Sequence, residues 1–371
     1  MDQTNAIPLP ARVLSLDVMR GLIMILLAAE ACGLYEALAH AFPGGVAHAV
    51  VGQFFHHEWH GLYAWDLVQP GFMLIAGTSL YFSWLRKSLH GVSWSANFRS
   101  VAWRSLKLFG CGVALHCVYS GRLVWELWNV LTQLAATTLI AYLIIRWPAV
   151  GQLLFSLGLL LLTECLYRLV AVPGYDQPFV KGENFGTYVD HLAMGKHNSG
   201  GWAAINFLPT AAHTIWGVLV GKLLASSQPV AIQLRKLLIA GIVGLAAGYL
   251  LDWTSVTPII KRISTSSFVL VSGGYILLFM ALLRWLVDVR QYDRHAWVFT
   301  VVGMNPIFIY LFFETVGKQW FNGTVGIFVG GTLELLAVPA SAIAIVVALA
   351  ALFLEGLLCY WLYRKRIFFK L

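Results

Sequence analysis

Charged residues are scarce in this sequence. Only 11% of its 371 residues are Asp, Glu, Lys or Arg, and 59% are hydrophobic. Soluble domains carry about 25% charged residues, because the surface of a water-soluble fold needs a polar shell. The composition therefore excludes an ordinary soluble protein and indicates a chain surrounded by lipid.

Cysteine is also rare, and its placement argues against two kinds of site. All five cysteines lie inside apolar runs, and none belongs to a CxxC pair. We interpret them as small apolar residues of helices, and not as metal ligands or a disulfide framework.

Long linkers, low-complexity stretches and clear repeats are missing too, so we expect a single domain over residues 1–371. The net charge of +8 is compatible with nucleic-acid binding. However, the basic residues lie in short loops between apolar runs, which is the pattern that orients membrane helices. We therefore expect a lipid bilayer as the partner, and no nucleic acid.

Apolar runs long enough to cross a bilayer recur along the whole chain. A spanning helix needs about 20 mostly apolar residues. We expect an all-α polytopic transmembrane helix bundle of ten spans, or eleven if the short apolar segment 324–337 also crosses. The predicted spans are 13–37, 62–85, 100–120, 124–146, 149–172, 204–225, 234–252, 267–288, 296–316 and 338–363.

The distribution of basic residues predicts the orientation. With the N-terminus in the cytoplasm and ten spans, 18 of the 25 Lys and Arg residues, including Arg12 and Lys370, fall on the inner side. This bias predicts that both termini are cytoplasmic. The outer loops are then 38–61, 173–203, 253–266 and 317–337. The longest of them, 173–203, is either a functional loop or a plain connector.

Ionisable residues within the spans are costly and call for a reason. Asp17 and Arg20 are three residues apart on the first span, which predicts an ion pair; alternatively, Arg20 holds an anionic ligand. Glu30 lies further along the same span, and Glu314 lies near the outer end of the ninth. Asp66 opens the second span, where capping of the helix N-terminus explains it.

Histidines are concentrated in the first outer loop. We interpret His116 and His213, which lie in spans, as buried and hydrogen-bonded. By contrast, six of the eleven histidines lie between residues 40 and 90, and three of those belong to the motif HHEWHG. His56 and His60 are four residues apart, with Glu58 between them. The order differs from the H-E-x-x-H motif of zinc sites, so we expect no metal. A surface cluster without function and a general base remain as interpretations.

Seven segments, taken in order along nearly the whole chain, resemble the heparan-alpha-glucosaminide N-acetyltransferase family of membrane acyltransferases and its bacterial relatives. They are RVLSLDVMRGLIMILL, HHEWHGLYAWDLVQPGFMLIAGTSLYFS, AWRSLKLFGCGV, IWGVLVGKLL, PIIKRISTSSFVLVSGGYILL, GMNPIFIYLFFE and LYRKRIFFKL.

The resemblance implies a multi-helix transmembrane fold and transfer of an acetyl group from cytosolic acetyl-CoA to a glucosamine amine across the membrane. The position of the family's catalytic histidine is His56. The resemblance also matches family positions to Asp17, Arg20, Asp66, Pro70, Lys261 and Asn305. Two departures leave the acceptor open: Glu30 lies near a common Asn of the first span, and His60 replaces a common Asn after the loop Trp.

The first hypothesis is therefore an acyltransferase of the bacterial inner membrane that uses acetyl-CoA or another acyl-CoA. His56 acts as base or acyl carrier, Glu58 or Glu30 orients it, and Lys261 or Asn305 stabilises the oxyanion. Asp66 completes the predicted catalytic residues. The predicted CoA-binding residues are Arg20, Arg99, Arg104 and Lys107, and the predicted acceptor-binding residues are Glu30, His60, Lys261 and Glu314.

The second hypothesis is a transporter or permease for an amino sugar or related small molecule. Broken helices and polar groups near the middle of the membrane are typical of that class. The sequence leaves a homodimer open in either case.

Overall fold

A computed structural model describes residues 13–369, so Arg12 and Lys370 lie outside the described residues. Within this range the regular structure is helical, apart from one antiparallel bridge between His60 and Ile260. In chain order, the helices α1 to α16 are Leu14–Ala31, Leu34–Ala41, Gly45–Gly52, Val68–Leu89, Trp94–Ser120, Val130–Leu143, Ala149–Leu169, Phe185–Met194, Phe207–Leu224, Val230–Trp253, Ser266–Leu283, Ala296–Gly303, Pro306–Phe312, Asn322–Val325, Gly331–Leu335 and Ala340–Arg364.

Stretches of other helical type lengthen several of these helices. The 3₁₀ turns Ala64–Leu67 and Ala204–Asn206 lead into α4 and α9, and the π-helical stretch Arg284–Val289 extends α11. Two more π-helical stretches, Phe313–Phe321 and Gly326–Gly330, join α13, α14 and α15.

The run Pro306–Leu335 is therefore one long helix. The prediction of a loop at 317–337 is wrong, and 324–337 is not a separate segment but the end of this helix. The physical reason lies in the backbone: no proline occurs between Pro306 and Pro339, so nothing there breaks the helical hydrogen bonds.

Within residues 13–369, five helices are long and apolar enough to cross a membrane. They are Ala149–Leu169, Ala204–Leu224, Val230–Trp253, Ser266–Val289 and Ala340–Arg364. The number rises to seven if each of two bent pairs counts as one span: α1 with α2, bent by 63°, and α12 with Pro306–Leu335, bent by 75°. Such helices are what a membrane protein requires.

Three other helices overlap predicted spans but are too polar or too short to count among the helices that could cross a membrane. Helix α4 carries polar residues such as Gln69 and Thr78, and α5 carries Arg99, Arg104 and Lys107. Helix α6 has 14 residues and thus a length of about 21 Å, less than the roughly 30 Å thickness of a hydrocarbon core.

The bundle has central and peripheral helices. The helices differ in how much of their apolar 18-residue stretch is buried inside the protein. The buried share is 72% in Ala204–Leu224 and in Ser266–Val289, but 17% in Val230–Trp253 and 22% in Ala340–Arg364. The first two helices therefore form the interior, and the last two present apolar side chains to their surroundings.

Close contact between α4 and α9 depends on glycine. A Cβ atom on Gly77 would lie 1.9 Å from the carbonyl oxygen of Thr214, and one on Gly217 would lie 2.1 Å from that of Leu74. Small residues let membrane helices approach until their backbones touch. This contact fixes the position of α4, whose N-terminal end carries Asp66.

We expect Gly77→Ala to destabilise the protein by about 1–3 kcal/mol, because the added methyl group must push α4 and α9 apart. The measurement is the thermal unfolding midpoint of the protein in detergent. Gly110→Ala on α5 is the matched control, since no atom lies within 4 Å of the position of its added Cβ. Equal midpoints for the two variants would contradict the packing argument.

Candidate functional site

The HHEWHG segment forms an irregular loop between α3 and α4, and it pairs with the segment that follows α10. His60 and Ile260 form the antiparallel bridge, and the backbone N–H of Gly61 donates to the carbonyl of Ile259 at 2.9 Å. This pairing brings Lys261 beside His56 although 205 positions separate them. The two segments together build one wall of a cavity.

His56, Asp66 and Lys261 meet at the centre of this wall, and we call them the His56 cluster. His56 Nδ1 lies 3.0 Å from Asp66 Oδ1 and 3.0 Å from Lys261 Nζ. Lys261 Nζ lies 3.4 Å from Asp66 Oδ1. Asp66 is fully buried, and its Oδ2 accepts from the backbone N–H of Tyr63 at 2.9 Å and of His57 at 3.3 Å. The carboxylate is therefore held in one position.

The surroundings set the charges of the cluster. Burial alone would raise the pKa of Asp66, but the hydrogen bond with His56 and the charge of Lys261 lower it below its usual value. Partial desolvation by the cavity wall, together with the neighbouring Lys261, lowers the pKa of His56, whose side chain is 39% exposed. Burial also lowers the pKa of Lys261, to about 8, although Asp66 opposes this shift. At neutral pH the cluster is thus an ionised Asp66, a neutral His56 and a charged Lys261.

A neutral imidazole carries one proton, on either nitrogen. Nδ1 faces both the Asp66 carboxylate and the Lys261 ammonium group at 3.0 Å. In the tautomer that carries the proton on Nδ1, this N–H donates to Asp66, Lys261 pairs with the same carboxylate at 3.4 Å, and the lone pair of Nε2 is available. The His56 ring also packs edge-on against Trp202, with 5.3 Å between centroids, and Lys261 Nζ lies 5.4 Å from the centroid of the same indole. The cluster therefore has the arrangement of a carboxylate-oriented general base.

The cavity in front of His56 has a volume of about 350 Å³. Its lining includes six aromatic and four amide side chains besides aliphatic and charged ones. The aromatic and amide residues are Trp65, Phe72, Tyr119, Trp128, Trp202 and Tyr310, with Gln69, Asn129, Gln133 and Asn198. A mostly apolar pocket with a few convergent polar groups is the usual form of a small-molecule site.

Two carboxylates line the same cavity. Glu314 Oε2 accepts from the Tyr119 hydroxyl at 2.7 Å and lies 2.9 Å from Lys318 Nζ. Glu30 is 35% exposed and lies 4.0 Å from Lys318 Nζ. Two negative charges therefore share one ammonium group, so this side of the cavity carries a surplus negative charge.

His116 also lines this cavity, and its surroundings differ from the prediction of a fully hydrogen-bonded histidine. Its Nδ1 lies 2.8 Å from Glu126 Oε2, but its Nε2 is buried without a hydrogen-bond partner among the described residues. His213 is fully buried and distant from this lining, with Nε2 within reach of the Val269 carbonyl and the Ser272 hydroxyl and Nδ1 without a partner there.

Several predicted site residues do not line the cavity. Glu58 is exposed and has no described hydrogen bond with His56, so Asp66 and not Glu58 orients the imidazole. His60 Nε2 instead pairs with Asp252 Oδ1 at 2.8 Å. Asn305 uses both ends of its amide to hold the C-terminal segment, through the carbonyl of Ile367 and the N–H of Phe369.

The predicted CoA-binding residues are gathered elsewhere. Arg20 pairs with Asp17 at 3.1 Å, as predicted, and its Nη2 donates to the Ser79 hydroxyl at 2.8 Å. Arg99, Arg104 and Lys107 are exposed along α5. None of these four residues belongs to the lining of the 350 Å³ cavity.

Sequence reasoning missed Trp202, Gln69 and the tyrosines Tyr119 and Tyr310. A signal for Gln69 existed, because it lies three residues after Asp66 at the start of α4. The length of the loop 173–203 was a signal for Trp202.

Comparison of this sequence with family models and with curated proteins finds no match.

Proposed function

We propose that this protein is a membrane-embedded acyltransferase. It transfers an acyl group, acetyl in the simplest case, from cytoplasmic acyl-CoA to an amine or hydroxyl group of a sugar-like acceptor at the outer membrane face. The observation that carries the proposal is the His56 cluster: a neutral imidazole, held by a buried carboxylate, at the wall of a cavity of about 350 Å³. The resemblance of the sequence segments to a membrane acyltransferase family supports the same reaction.

The proposed topology has ten spans and both termini in the cytoplasm. The two bent pairs and the five long apolar helices account for seven spans, and α4, α5 and α6 account for the other three. In this orientation Arg20, Arg99, Arg104 and Lys107 lie toward the cytoplasmic side, where they bind the phosphates of CoA. We propose the bacterial inner membrane as the location, with the chain acting as a single domain.

In the proposed reaction His56 Nε2 takes a proton from the acceptor amine or hydroxyl group. The freed electron pair attacks the thioester carbonyl, a C–N or C–O bond forms, the C–S bond breaks, and the thiolate of CoA leaves and receives the proton. Asp66 stabilises the imidazolium that forms in between. Lys261 contributes positive charge next to the developing oxyanion. Direct transfer of this kind needs no acyl-histidine intermediate.

The charge of the cavity favours an amine acceptor. Lys261 balances Asp66, whereas Lys318 balances only one of the pair Glu30 and Glu314. An ammonium group that enters the cavity is attracted by the surplus carboxylate. It releases one proton to water, and His56 takes the second from the resulting amine during its attack on the thioester. Glu30 is the more exposed of the two and is the better placed to meet it.

The test of the function is acceptor-dependent release of CoA thiol by the purified protein. The protein is incubated with radiolabelled acetyl-CoA and a panel of amino sugars and matched neutral sugars. We expect a labelled product only when acetyl-CoA and an acceptor are both present. If no acceptor or acyl-CoA of the panel gives product, while sealed proteoliposomes take up an amino sugar without CoA, the proposal is overturned in favour of a permease.

The permease is the second candidate because two helices are broken, with bends of 63° and 75°. Discontinuous helices form the substrate sites of many secondary transporters. In a permease, the cavity and the carboxylates Glu30 and Glu314 would bind a transported cation in place of an acceptor. The uptake assay above distinguishes the two activities.

Replacement of Glu30 by glutamine is expected to raise KM for an amine acceptor about 10- to 100-fold, because a hydrogen bond to a charged group contributes roughly 1.5–3 kcal/mol. We expect little change in kcat and in KM for acetyl-CoA. The measurement is the initial rate over a range of acceptor concentrations. Glu36→Gln is the matched control, since Glu36 is exposed on α2 and does not line the cavity. An unchanged KM would remove Glu30 from the acceptor site.

A further inference from the structure

A second, separate cavity contains a buried carboxyl group without a cationic partner. It has a volume of about 170 Å³ and lies between α1, α12, α13 and α16. Glu355 of α16 lines it and is 2% exposed. Among the described residues, no Lys, Arg or His nitrogen lies within 4.0 Å of its carboxyl oxygens, and the one side chain in hydrogen-bonding reach is the thiol of Cys32.

The surroundings of Glu355 are otherwise apolar. Helices α12 and α13 contribute Val298, Val302 and Ile309 to the lining. The titratable groups that face it are the thiols of Cys32 and of Cys359 on its own helix, and a thiol is a weak hydrogen-bond donor.

The facing helix leaves room for the carboxyl group. A Cβ atom on Gly317 would lie 3.2 Å from Glu355 Oε1. Gly317 belongs to the π-helical stretch Phe313–Phe321, and π-helical turns are frequent at functional sites. The same stretch carries Glu314, which lines the first cavity, and Lys318, which pairs with it. Backbone geometry and side-chain size therefore both accommodate an acid at this position.

An isolated carboxylate here would cost several kilocalories per mole, because neither water nor a cation neutralises it. Glu355 is therefore a neutral carboxylic acid. Water is a poor occupant of the cavity, since a buried water needs two to four polar partners and this cavity offers one carboxyl group. A metal ion is also excluded on chemical grounds, because hard cations require about six oxygen ligands.

We propose that this cavity is a binding site for a small lipid-soluble amine, which Glu355 recognises by giving it a proton. The amine enters uncharged from the lipid. The proton leaves the carboxyl oxygen of Glu355 and binds the amine nitrogen, and the ammonium–carboxylate pair that results has no net charge. Since a water molecule occupies about 30 Å³ in the liquid, 170 Å³ accommodates about six non-hydrogen atoms.

Covalent labelling of the full-length protein in lipid nanodiscs tests this site. N,N′-Dimethylcarbodiimide is a small apolar reagent, with five non-hydrogen atoms, that adds to protonated carboxyl groups: the carboxyl proton goes to a carbodiimide nitrogen and the oxygen bonds to the central carbon. Mass spectrometry should find the adduct on Glu355 and not on Glu334, an exposed carboxylate of α15. Glu355→Gln should lose the adduct and keep the thermal unfolding midpoint within a few degrees.

Protection by a matched pair of probes tests the ligand class. N,N-Dimethylpropylamine and 2-methylpentane have the same shape, but only the amine is a base, and as a tertiary amine it does not trap the activated carboxyl group. At about ten times its Kd in mildly alkaline buffer, the amine should lower labelling of Glu355 about tenfold. The hydrocarbon and the permanent cation trimethylpropylammonium should leave labelling unchanged.

Three results would overturn the proposal. Absence of labelling at Glu355 would mean that the carboxyl group is ionised or closed to lipid-soluble molecules. Equal protection by the amine and the hydrocarbon would reduce the site to an apolar void. If the amine raises the thermal unfolding midpoint of Glu355→Gln as much as that of the wild type, the amine binds elsewhere. None of these outcomes depends on the acyltransferase activity.

Discussion

Replacing His56 by alanine is expected to lower kcat for acyl transfer by a factor of about 10²–10⁴, the usual contribution of a general base. The reason is geometric and electrostatic. His56 is the cavity-lining imidazole whose Nδ1 meets the buried Asp66, and its neutral state at pH 7 keeps Nε2 ready to accept a proton. The measurement is acceptor-dependent release of CoA thiol under saturating acetyl-CoA.

His48→Ala is the matched control, because His48 is exposed on α3 and does not line the cavity. It should retain the wild-type rate. Thermal stabilisation by CoA should persist in both variants, which separates lost chemistry from lost binding. A His56→Ala variant with wild-type turnover would sink the assignment.

The pH dependence of the wild type gives an independent check on the cluster. Partial desolvation and Lys261 lower the pKa of His56, so the base stays neutral and kcat/KM should hold as pH falls through 6.5, its ordinary value. On the alkaline side kcat/KM should fall near pH 8, where Lys261 loses its proton. Lys261→Met removes a positive charge beside the imidazole. The loss of kcat/KM at low pH should therefore begin at a higher pH than in the wild type, and the fall of kcat/KM near pH 8 should vanish.

Replacing Asp66 by asparagine should lower kcat by about 10³–10⁴-fold, since an amide neither enforces the Nδ1–H tautomer nor stabilises the imidazolium. Stability should fall as well. Lys261 is 5% exposed and lies 3.4 Å from Asp66, so the variant leaves a buried ammonium group without its anion. Loss of one partner of a buried pair costs about 3–5 kcal/mol.

The double variant Asp66→Asn with Lys261→Met separates the two effects. It removes both buried charges, so the thermal unfolding midpoint should recover most of what the single variant lost. Activity should stay at the level of the single variant, because the orienting carboxylate is still missing. Recovery of activity together with stability would mean that Asp66 serves the fold and not the reaction.

The helices themselves follow from local sequence. Apolar runs separated by polar turns leave the backbone no alternative in lipid, because each N–H must find its partner within the segment. Each predicted span overlaps at least one helix, but 13–37 and 296–316 are each broken into two helices, and among the described residues five to seven spans are long and apolar enough to cross a membrane. Even so, the length of Pro306–Leu335 was misjudged, because the residues 317–337 include glycines and polar residues that are typical of a loop but contain no proline to end the helix.

The sequence by itself determined the membrane-type helical fold and directed attention to HHEWHG and to Asp66 at the start of α4. Only the tertiary structure decided which carboxylate orients His56, because Glu58 is close in sequence but Asp66 is close in space. It also showed that Asn305 binds the C-terminal segment and that Glu355 is buried without a cationic partner among the described residues. Helix propensity acts over neighbouring residues, whereas the chemistry of a buried side chain depends on atoms that distant segments bring within about 3–4 Å of it.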